Sequence, residues 1–186
     1  MIEIVEKPAS GTLLIAHPVI RDPDFRRSVV LLCDHNEEGS YGLVLNRPTP
    51  FQLSEVVEEP AIESPLFLGG PVQPNTLHIL HRIGAGVEGS KSVRGRTYWG
   101  GKLDDIARML TADEAELKDV RFYIGYSGWG EGQLAEEIER GGWILAAADD
   151  NTLFDTEPHE LWRVLMRKMG GEYALISTYP DDPTMN

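Results

Sequence analysis

Short apolar runs, many of them rich in β-branched residues, predict that strands dominate this chain. Runs of four to seven residues bounded by Gly, Pro, Asn or Asp are typical of strands in a sheet. The predicted strands are Thr12–Ala16, Ser28–Cys33, Tyr41–Asn46, Pro65–Leu68, Thr76–His81, Val120–Tyr126 and Trp143–Ala148, with Tyr173–Ser177 as a final strand. The second and third of these flank the turn-rich sequence DHNEEGS, so they predict a β-hairpin.

Apolar residues at helical spacing predict about four helices. The predicted helices run from Phe51 to about Glu58, over Lys102–Leu110, over Gln133–Arg140 and from Thr156 to about Met169. Strands and helices do not alternate regularly, so we predict an α+β fold rather than a doubly wound sheet. We expect one domain over residues 1–186, with a loose leader at 1–10, a loose tail at 181–186 and a flexible, glycine-rich excursion at 82–101.

The glycine-rich stretch 125–133 is the segment around which we expect the fold to be organised. Its glycines frame Ser127 and Trp129 and precede the helix that starts at Gln133. The stretch fails the nucleophile-elbow, dinucleotide and phosphate-loop patterns by one or more positions. It is therefore either a structural turn with Trp129 as a packed plug, or a loop that binds a ligand or partner. For a turn we expect a positive φ at Gly128 or Gly130.

Charge and cysteine content narrow the range of functions. The chain has 186 residues and a formal net charge of −13, which argues against direct nucleic-acid binding. A basic strip at 82–102, with five basic residues and one acidic residue, is the exception. The single cysteine, Cys33, ends an apolar strand, so we predict a buried, inert thiol. The start of the chain resembles no signal peptide and the apolar runs are too short to span a membrane, which suits a cytoplasmic protein.

Three arginines are the most distinctive polar residues. Arg26, Arg27 and Arg47 flank the strand ends of the predicted hairpin. They either converge on an anion or form ion pairs with Asp22 and Asp24, and adjacency in sequence favours the ion pairs. One cysteine and scattered histidines do not make a zinc set, so we predict no metal site and no cofactor.

The motifs together resemble the AlgH/YqgE family, also called UPF0301 or DUF179. The motifs that carry the resemblance are GTLLIAHP at 11–18, DPDFRRSVVLL at 22–32, GLVLNRP at 42–48, GGPV at 69–72, YWGG at 98–101, GYSGWG at 125–130 and GQL at 132–134. The strand at Trp143 and the helix at Trp162 match as well. The resemblance covers the chain from Gly11 to about Leu175.

The resemblance implies a bacterial, cytoplasmic and largely uncharacterised protein. The family's fold is described as α+β, with a bent, bifurcated sheet that closes into a pseudo-barrel. One branch is labelled a transcriptional regulator, and the family's genes often neighbour a YqgF-like homologue of Holliday-junction resolvases. No catalytic residues are established for the family, so none are carried over.

Two main functions are compatible with the sequence. The first is a non-enzymatic regulatory or protein-interaction module that acts through a protein partner, with the YqgF-like homologue as one candidate. The residues we expect at its surface are Asp22, Arg26, Arg27, Asn46, Arg47, Gly69, Gly70, Ser127, Trp129 and Gln133. The alternative is an enzyme with an unrecognised site, built from the loops at 22–28, 46–48 and 125–133. Direct nucleic-acid binding through 82–102 is a third, weaker hypothesis.

Overall fold

The computed structural model describes residues 2–180 and contains a ten-stranded sheet and five α-helices in that range. The strands are β1 (Thr12–Ala16), β2 (Val29–Asn36), β3 (Gly39–Val44), β4 (Pro48–Gln52), β5 (Pro65–Leu68), β6 (Val72–His81), β7 (Ser90–Arg94), β8 (Thr97–Gly100), β9 (Val120–Gly130) and β10 (Trp143–Ala147). The helices are α1 (Leu103–Thr111), α2 (Gln133–Glu139), α3 (Asp150–Asp155), α4 (Leu161–Met169) and α5 (Gly171–Ile176). The predicted tail at 181–186 lies outside the described residues.

The sheet is almost entirely antiparallel. Its strand order is β10-β1-β2-β3-β9-β6-β8-β7, and β5 lies parallel to β9 with β4 beside it. The β2–β3 hairpin has the predicted connection, with Asn36 paired to Gly39 across the turn. The sheet curls into a half-barrel with the helices packed around it, so the predicted α+β class is confirmed.

Strand β9 lies at the fork of the sheet. Its first half, at Phe122–Ile124, pairs with β5, and its second half, at Ser127–Gly130, pairs with β3 along the same edge. The change of partner occurs at Gly125, which has φ +66°. A β-carbon there would lie 2.6 Å from the carbonyl oxygen of Gly70. Glycine therefore allows both the bend and the close crossing of two chain segments.

Helix α4 packs on the sheet because one of its faces is apolar. Leu161, Trp162, Leu165 and Met166 are buried in a core shared with alternate residues of β1, β2 and β3. The indole nitrogen of Trp162 donates to the carbonyl oxygen of Ala16 at 2.8 Å. The predicted buried face of this helix is confirmed, although the helix starts at Leu161 and not at Thr156.

Two predicted elements have the wrong secondary structure. Residues 51–58 do not form a helix, because Thr49 is engaged by β5 through a hydrogen bond from its Oγ1 to the Leu66 carbonyl oxygen at 2.7 Å. Only the 3₁₀ turn Leu53–Glu55 follows. The predicted strand Tyr173–Ser177 is instead part of α5 and its C-cap, and α5 follows α4 directly after Gly170, which has φ +76°. Its main chain bonds within the helix and not to a sheet edge.

Two segments expected to be flexible are ordered by main-chain pairing. The excursion at 82–101 contains the β7–β8 hairpin, whose end is bound by Asp150 through Arg96 N and Thr97 Oγ1. In the leader, Val5 N donates to the Leu145 carbonyl oxygen at 3.1 Å. The expectation of a loose leader is therefore wrong for the residues beside β10, since they extend the hydrogen bonding of that edge strand.

Candidate functional site: an arginine cleft

Four arginines from three separate segments line one cleft of about 460 Å³. They are Arg26, Arg27, Arg47 and Arg163, and they are joined there by Pro23, Asn46, His159 and Trp162. We call this group the arginine cleft. Four guanidinium groups at one site are notable in a chain whose net charge is −13. Guanidinium groups bind carboxylates, phosphates and carbonyl oxygens, so the cleft has the chemistry of an anion or peptide site.

Asn46 positions two sides of the cleft. It is buried at the end of the β2–β3 hairpin, where its Oδ1 accepts from Val29 N at 2.9 Å. Its Nδ2 donates to the Arg27 carbonyl oxygen at 2.9 Å. These bonds fix the turn before β2 against the segment after β3. Arg27 has φ +54°, a left-handed conformation that non-glycine residues rarely adopt. The hydrogen bond from the side-chain amide of Asn46 helps to hold this conformation.

Arg27 and Arg47 are both partly removed from water. The guanidinium of Arg27 lies over the Trp162 ring, 5.0 Å from its centroid, in a cation–π arrangement. Arg47 donates to the Arg26 carbonyl oxygen. Burial lowers the pKa of Arg47; Asp24 opposes the effect, and Arg26 adds to it. The pKa of an arginine lies so far above neutral pH that Arg47 keeps its charge, so the cleft remains cationic.

The structure does not contain the ion pairs that were expected for these arginines. Within residues 2–180, no carboxylate of Asp22 or Asp24 lies within 4.0 Å of a guanidinium of the cleft. Asp22 Oδ1 instead accepts from Asp24 N at 2.9 Å, which closes the local turn. The favoured interpretation is therefore wrong, and the arginines converge as the other interpretation required.

The arginine cleft already binds a stretch of main chain. Arg163 Nη1 donates to the Ser177 carbonyl oxygen at 2.8 Å. Arg27 Nη2 donates to the carbonyl oxygens of Tyr179 and Pro180 at 3.1 and 2.7 Å. Arg163 also reaches the Tyr179 carbonyl oxygen at 3.3 Å. The segment 177–180, which leaves α5, is thus a peptide bound to two of the four arginines.

Three of the predicted surface residues are buried away from solvent. Gly69, Gly70 and Ser127 pack where the turn before β6 crosses β9. Ser127 Oγ donates to the Gly69 carbonyl oxygen at 3.1 Å, and a β-carbon on Gly70 would lie 2.2 Å from the carbonyl carbon of Tyr126. These residues hold the crossing together, so they do not form the exposed loop that the sequence predicted.

Trp129 is the packed plug that one interpretation of the glycine-rich stretch required. Its side chain is buried, and its indole nitrogen donates to Glu137 Oε2 at 2.9 Å. The stretch is not a loop, however, because β9 continues to Gly130. The positive φ angles fall at Gly125 and Gly132, so the expectation for Gly128 or Gly130 is wrong.

Asp22 and Gln133 belong to a second, neighbouring cleft. It has a volume of about 410 Å³, and Phe25 and Trp143 also line it. Gln133 is exposed, and its Oε1 accepts from Gly130 N at 3.1 Å across the turn between β9 and α2. The ten predicted residues therefore separate into an arginine group, a buried group and this pair.

The basic strip at 82–102 is largely neutralised. Four of its basic residues form ion pairs with carboxylates: Arg82 with Asp119 and Asp155, Lys91 with Asp34, Arg94 with Glu3, and Lys102 with Glu88. A basic side chain that is paired in this way attracts phosphates less strongly, because the carboxylate cancels part of its charge.

Within the described part of the chain, no group of three His, Cys, Asp or Glu residues is placed to bind a metal ion. The helices described are too short and too polar to cross a bilayer.

Sequence reasoning missed three residues of the arginine cleft. His159 lies in the 3₁₀ turn just before α4, and Trp162 and Arg163 lie in the first turn of α4, more than a hundred residues after the turn that carries Arg27. The apolar spacing of α4 indicated a buried Trp162, but nothing local indicated which segment would cover it. The contact with Arg27 depends on how α4 docks on β1.

The fold and the cleft define a small α+β domain with a half-barrel sheet and a cationic surface cleft. A model of the AlgH-like family, DUF179, matches residues 13–174. A UPF0301 protein of Chlorobium phaeobacteroides is 39% identical over 189 residues, with all of both chains covered. One from Cytophaga hutchinsonii is 40% identical over 178 residues, covering 95% of this chain and 98% of its own.

Two solved structures share the fold. The solution structure of the AlgH protein from Pseudomonas aeruginosa aligns with a TM-score of 0.72 at 28% identity, covering 96% of this chain and 100% of that one. The crystal structure of a protein from Corynebacterium diphtheriae aligns with a TM-score of 0.77 at 24% identity, with 94% of both chains covered. The chain belongs to the AlgH-like family of uncharacterised proteins, as its motifs predicted.

Proposed function

We propose that this chain is a non-enzymatic regulatory module that binds an acidic segment of a protein partner in the arginine cleft. The observation that carries the proposal is the bound segment 177–180, whose main-chain carbonyl oxygens accept hydrogen bonds from Arg27 and Arg163. The site thus already binds a peptide main chain. Arg26 and Arg47 add positive charge beside it, which favours a peptide that carries carboxylates.

The chemistry of the cleft favours binding over catalysis. The described residues that line it include no serine, threonine, cysteine, aspartate or glutamate, and His159 is the one side chain among them of the usual acid–base type. The enzyme hypothesis included the segment 125–133 in its site, and Ser127 is the serine of that segment. Its hydroxyl is buried and bonded to Gly69, so it is not presented to a substrate.

The overall charge favours a protein partner over nucleic acid. A polyanion that followed the surface away from the cleft would meet a chain of net charge −13, whereas a short acidic segment needs only the cleft. The ion pairs of the 82–102 strip reduce the charge that the third hypothesis requires. Any partner, including the YqgF-like homologue suggested by the family resemblance, must then present an acidic segment. Transcriptional regulation through such a partner requires no DNA contact by this chain.

The test is direct binding of an acidic peptide. Fluorescein-labelled hexaglutamate is titrated with the protein, and fluorescence anisotropy is measured at low and at physiological salt. We expect saturable binding that weakens with salt, because exposed charges are screened. Arg26→Glu should weaken binding by about tenfold or more, since it replaces an attractive charge with a repulsive one, and tenfold is about 1.4 kcal/mol.

The matched control is Arg108→Glu on helix α1. This exposed arginine pairs with Glu114 and is not part of the cleft, and its replacement changes the net charge by the same amount. Equal weakening by both variants would show a general charge effect and contradict the proposal. If the protein binds a duplex DNA of equal length more tightly than it binds hexaglutamate, the nucleic-acid hypothesis is favoured instead.

A further inference from the structure

We infer that the C-terminal segment of this chain is an internal competitor that a partner must displace from the arginine cleft. This inference rests on the proposed function. It concerns the regulation of the same site, because the segment already holds two of the arginines that an acidic peptide would use. The segment begins where α5 ends, at Ser177.

The described contacts show how the competition works. Three hydrogen bonds run from Arg27 and Arg163 to the carbonyl oxygens of Tyr179 and Pro180. The Tyr179 side chain is about half exposed, at 52%, and the described bonds to residues 179 and 180 go to main-chain oxygens. A segment held by a few hydrogen bonds at the surface can exchange with a second peptide that offers the same acceptors.

The sequence after Pro180 carries negative charge, as the proposed partner segment does. In the sequence, Asp181 and Asp182 follow Pro180 directly, so two carboxylates are attached to the residue whose carbonyl oxygen Arg27 binds. Carboxylates bind guanidinium groups more strongly than neutral carbonyl oxygens do. The proposal assigns these two aspartates the role of competing with an incoming acidic segment for the cleft.

The separate anchoring of Ser177 divides the segment into a fixed part and an exchangeable part. Ser177 is buried, its Oγ donates to the Ala174 carbonyl oxygen at 2.6 Å, and its own carbonyl oxygen is bound by Arg163. Displacement of the residues after Thr178 therefore leaves the end of α5 in place. It releases the hydrogen bonds that Arg27 Nη2 and Arg163 Nη2 donate to the carbonyl oxygens of Tyr179 and Pro180.

The first experiment keeps the full chain and removes only the charges. The double variant Asp181→Asn, Asp182→Asn is compared with the unchanged chain for its affinity for fluorescein-labelled hexaglutamate. We expect binding to tighten by about fivefold or more, because weakening a competitor raises the fraction of molecules whose cleft is available. The matched control is Asp104→Asn, Asp105→Asn on helix α1, which changes the net charge equally and lies outside the cleft.

The second experiment removes the exchangeable part. A chain ended after Thr178 should bind hexaglutamate more tightly than the double variant, and its melting temperature shows whether it folds. A synthetic peptide with the sequence of residues 177–186 should compete with hexaglutamate on this shortened chain. The same peptide with both aspartates replaced by asparagine should compete about tenfold less well, a difference of about 1.4 kcal/mol.

The outcomes separate the two proposals. The internal competitor is overturned if the unchanged chain, the double variant and the shortened chain bind hexaglutamate with equal affinity. If Arg26→Glu still weakens the binding, the proposed function stands. The internal competitor is also overturned if the control Asp104→Asn, Asp105→Asn tightens hexaglutamate binding as much as Asp181→Asn, Asp182→Asn does. Failure of every chain to bind hexaglutamate overturns the proposed function, and the competitor with it.

Discussion

The clearest stability prediction concerns Glu137, which binds two buried indoles at once. Its Oε2 accepts from Trp129 Nε1 at 2.9 Å and from Trp143 Nε1 at 2.8 Å. Its Oε1 accepts from Gln133 at 3.2 Å. The two tryptophans come from β9 and β10, on either side of α2, and both are about 5% exposed. Replacing Glu137 with alanine therefore removes the common acceptor that joins the helix to two strands.

The size of the effect follows from the two donors left behind. A buried donor without a partner costs about 1–3 kcal/mol, and hydrogen bonds to a charged acceptor are at the strong end of the usual range. Glu137 is half-buried, so water can enter the space it leaves and offset part of the loss. We expect Glu137→Ala to lower the free energy of unfolding by about 3 kcal/mol, which corresponds to about 6–12 °C in Tm.

The assay is urea unfolding followed by tryptophan fluorescence, with a matched variant one residue away. Glu136→Ala removes a carboxylate from the same helix, but that residue forms only an exposed pair with Arg140. Exposed pairs of this kind contribute about 0.3–0.5 kcal/mol. Glu137→Gln keeps an acceptor oxygen and the side-chain volume, so we expect it to cost about 1 kcal/mol, between the two alanine variants. If Glu137→Ala and Glu136→Ala differ by less than about 0.5 kcal/mol, the argument from the shared acceptor is refuted.

Three further predictions test the core and the buried polar groups. Gly70→Ala should cost about 3 kcal/mol or more, because its β-carbon would overlap the β9 main chain, whereas Gly86→Ala, which meets nothing within 4 Å, should change stability by less than about 0.5 kcal/mol; urea unfolding compares them. Cys33 is fully buried and burial raises its thiol pKa, so a maleimide should label it only after unfolding, and rapid labelling in native buffer would contradict this. Burial lowers the pKa of His81 to about 4, below the unfolded value of about 6.5, so its contribution to stability should be lost as the pH falls from about 6.5 to about 4. Urea unfolding at several pH values checks this, because His81→Gln should reduce that pH dependence.

Local sequence patterns determined much of the framework. The β-branched runs at β1 and β2, the turn between β2 and β3, and the apolar spacings of α1, α2 and α4 all predicted elements that the structure contains. These patterns succeed because the periods of strands and helices are properties of the chain itself. The burial of Cys33 follows from the same argument, since it ends an apolar strand, and it is confirmed.

Patterns failed where the outcome depended on a distant partner. Glycine content predicted a loop at 125–133, yet β9 continues to Gly130, because β3 supplies the hydrogen-bond ladder that the weak strand propensity of this segment lacks. The glycine-rich excursion contains the β7–β8 hairpin, and its strand β8 also pairs with β6. At 173–177 the apolar residues suit a strand or a helix, and packing on α4 selected the helix.

The sequence by itself therefore determined the strand-rich α+β class, the family and the individual arginines. Tertiary structure decided that Arg26, Arg27 and Arg47 converge in a cleft, and that α4 adds Arg163 to it. It also decided that Gly69, Gly70 and Ser127 are buried at a chain crossing and not at a surface. The physical reason is that local preference is encoded over a few residues. The meeting of segments more than a hundred residues apart depends on how the whole sheet curls and which helix covers it.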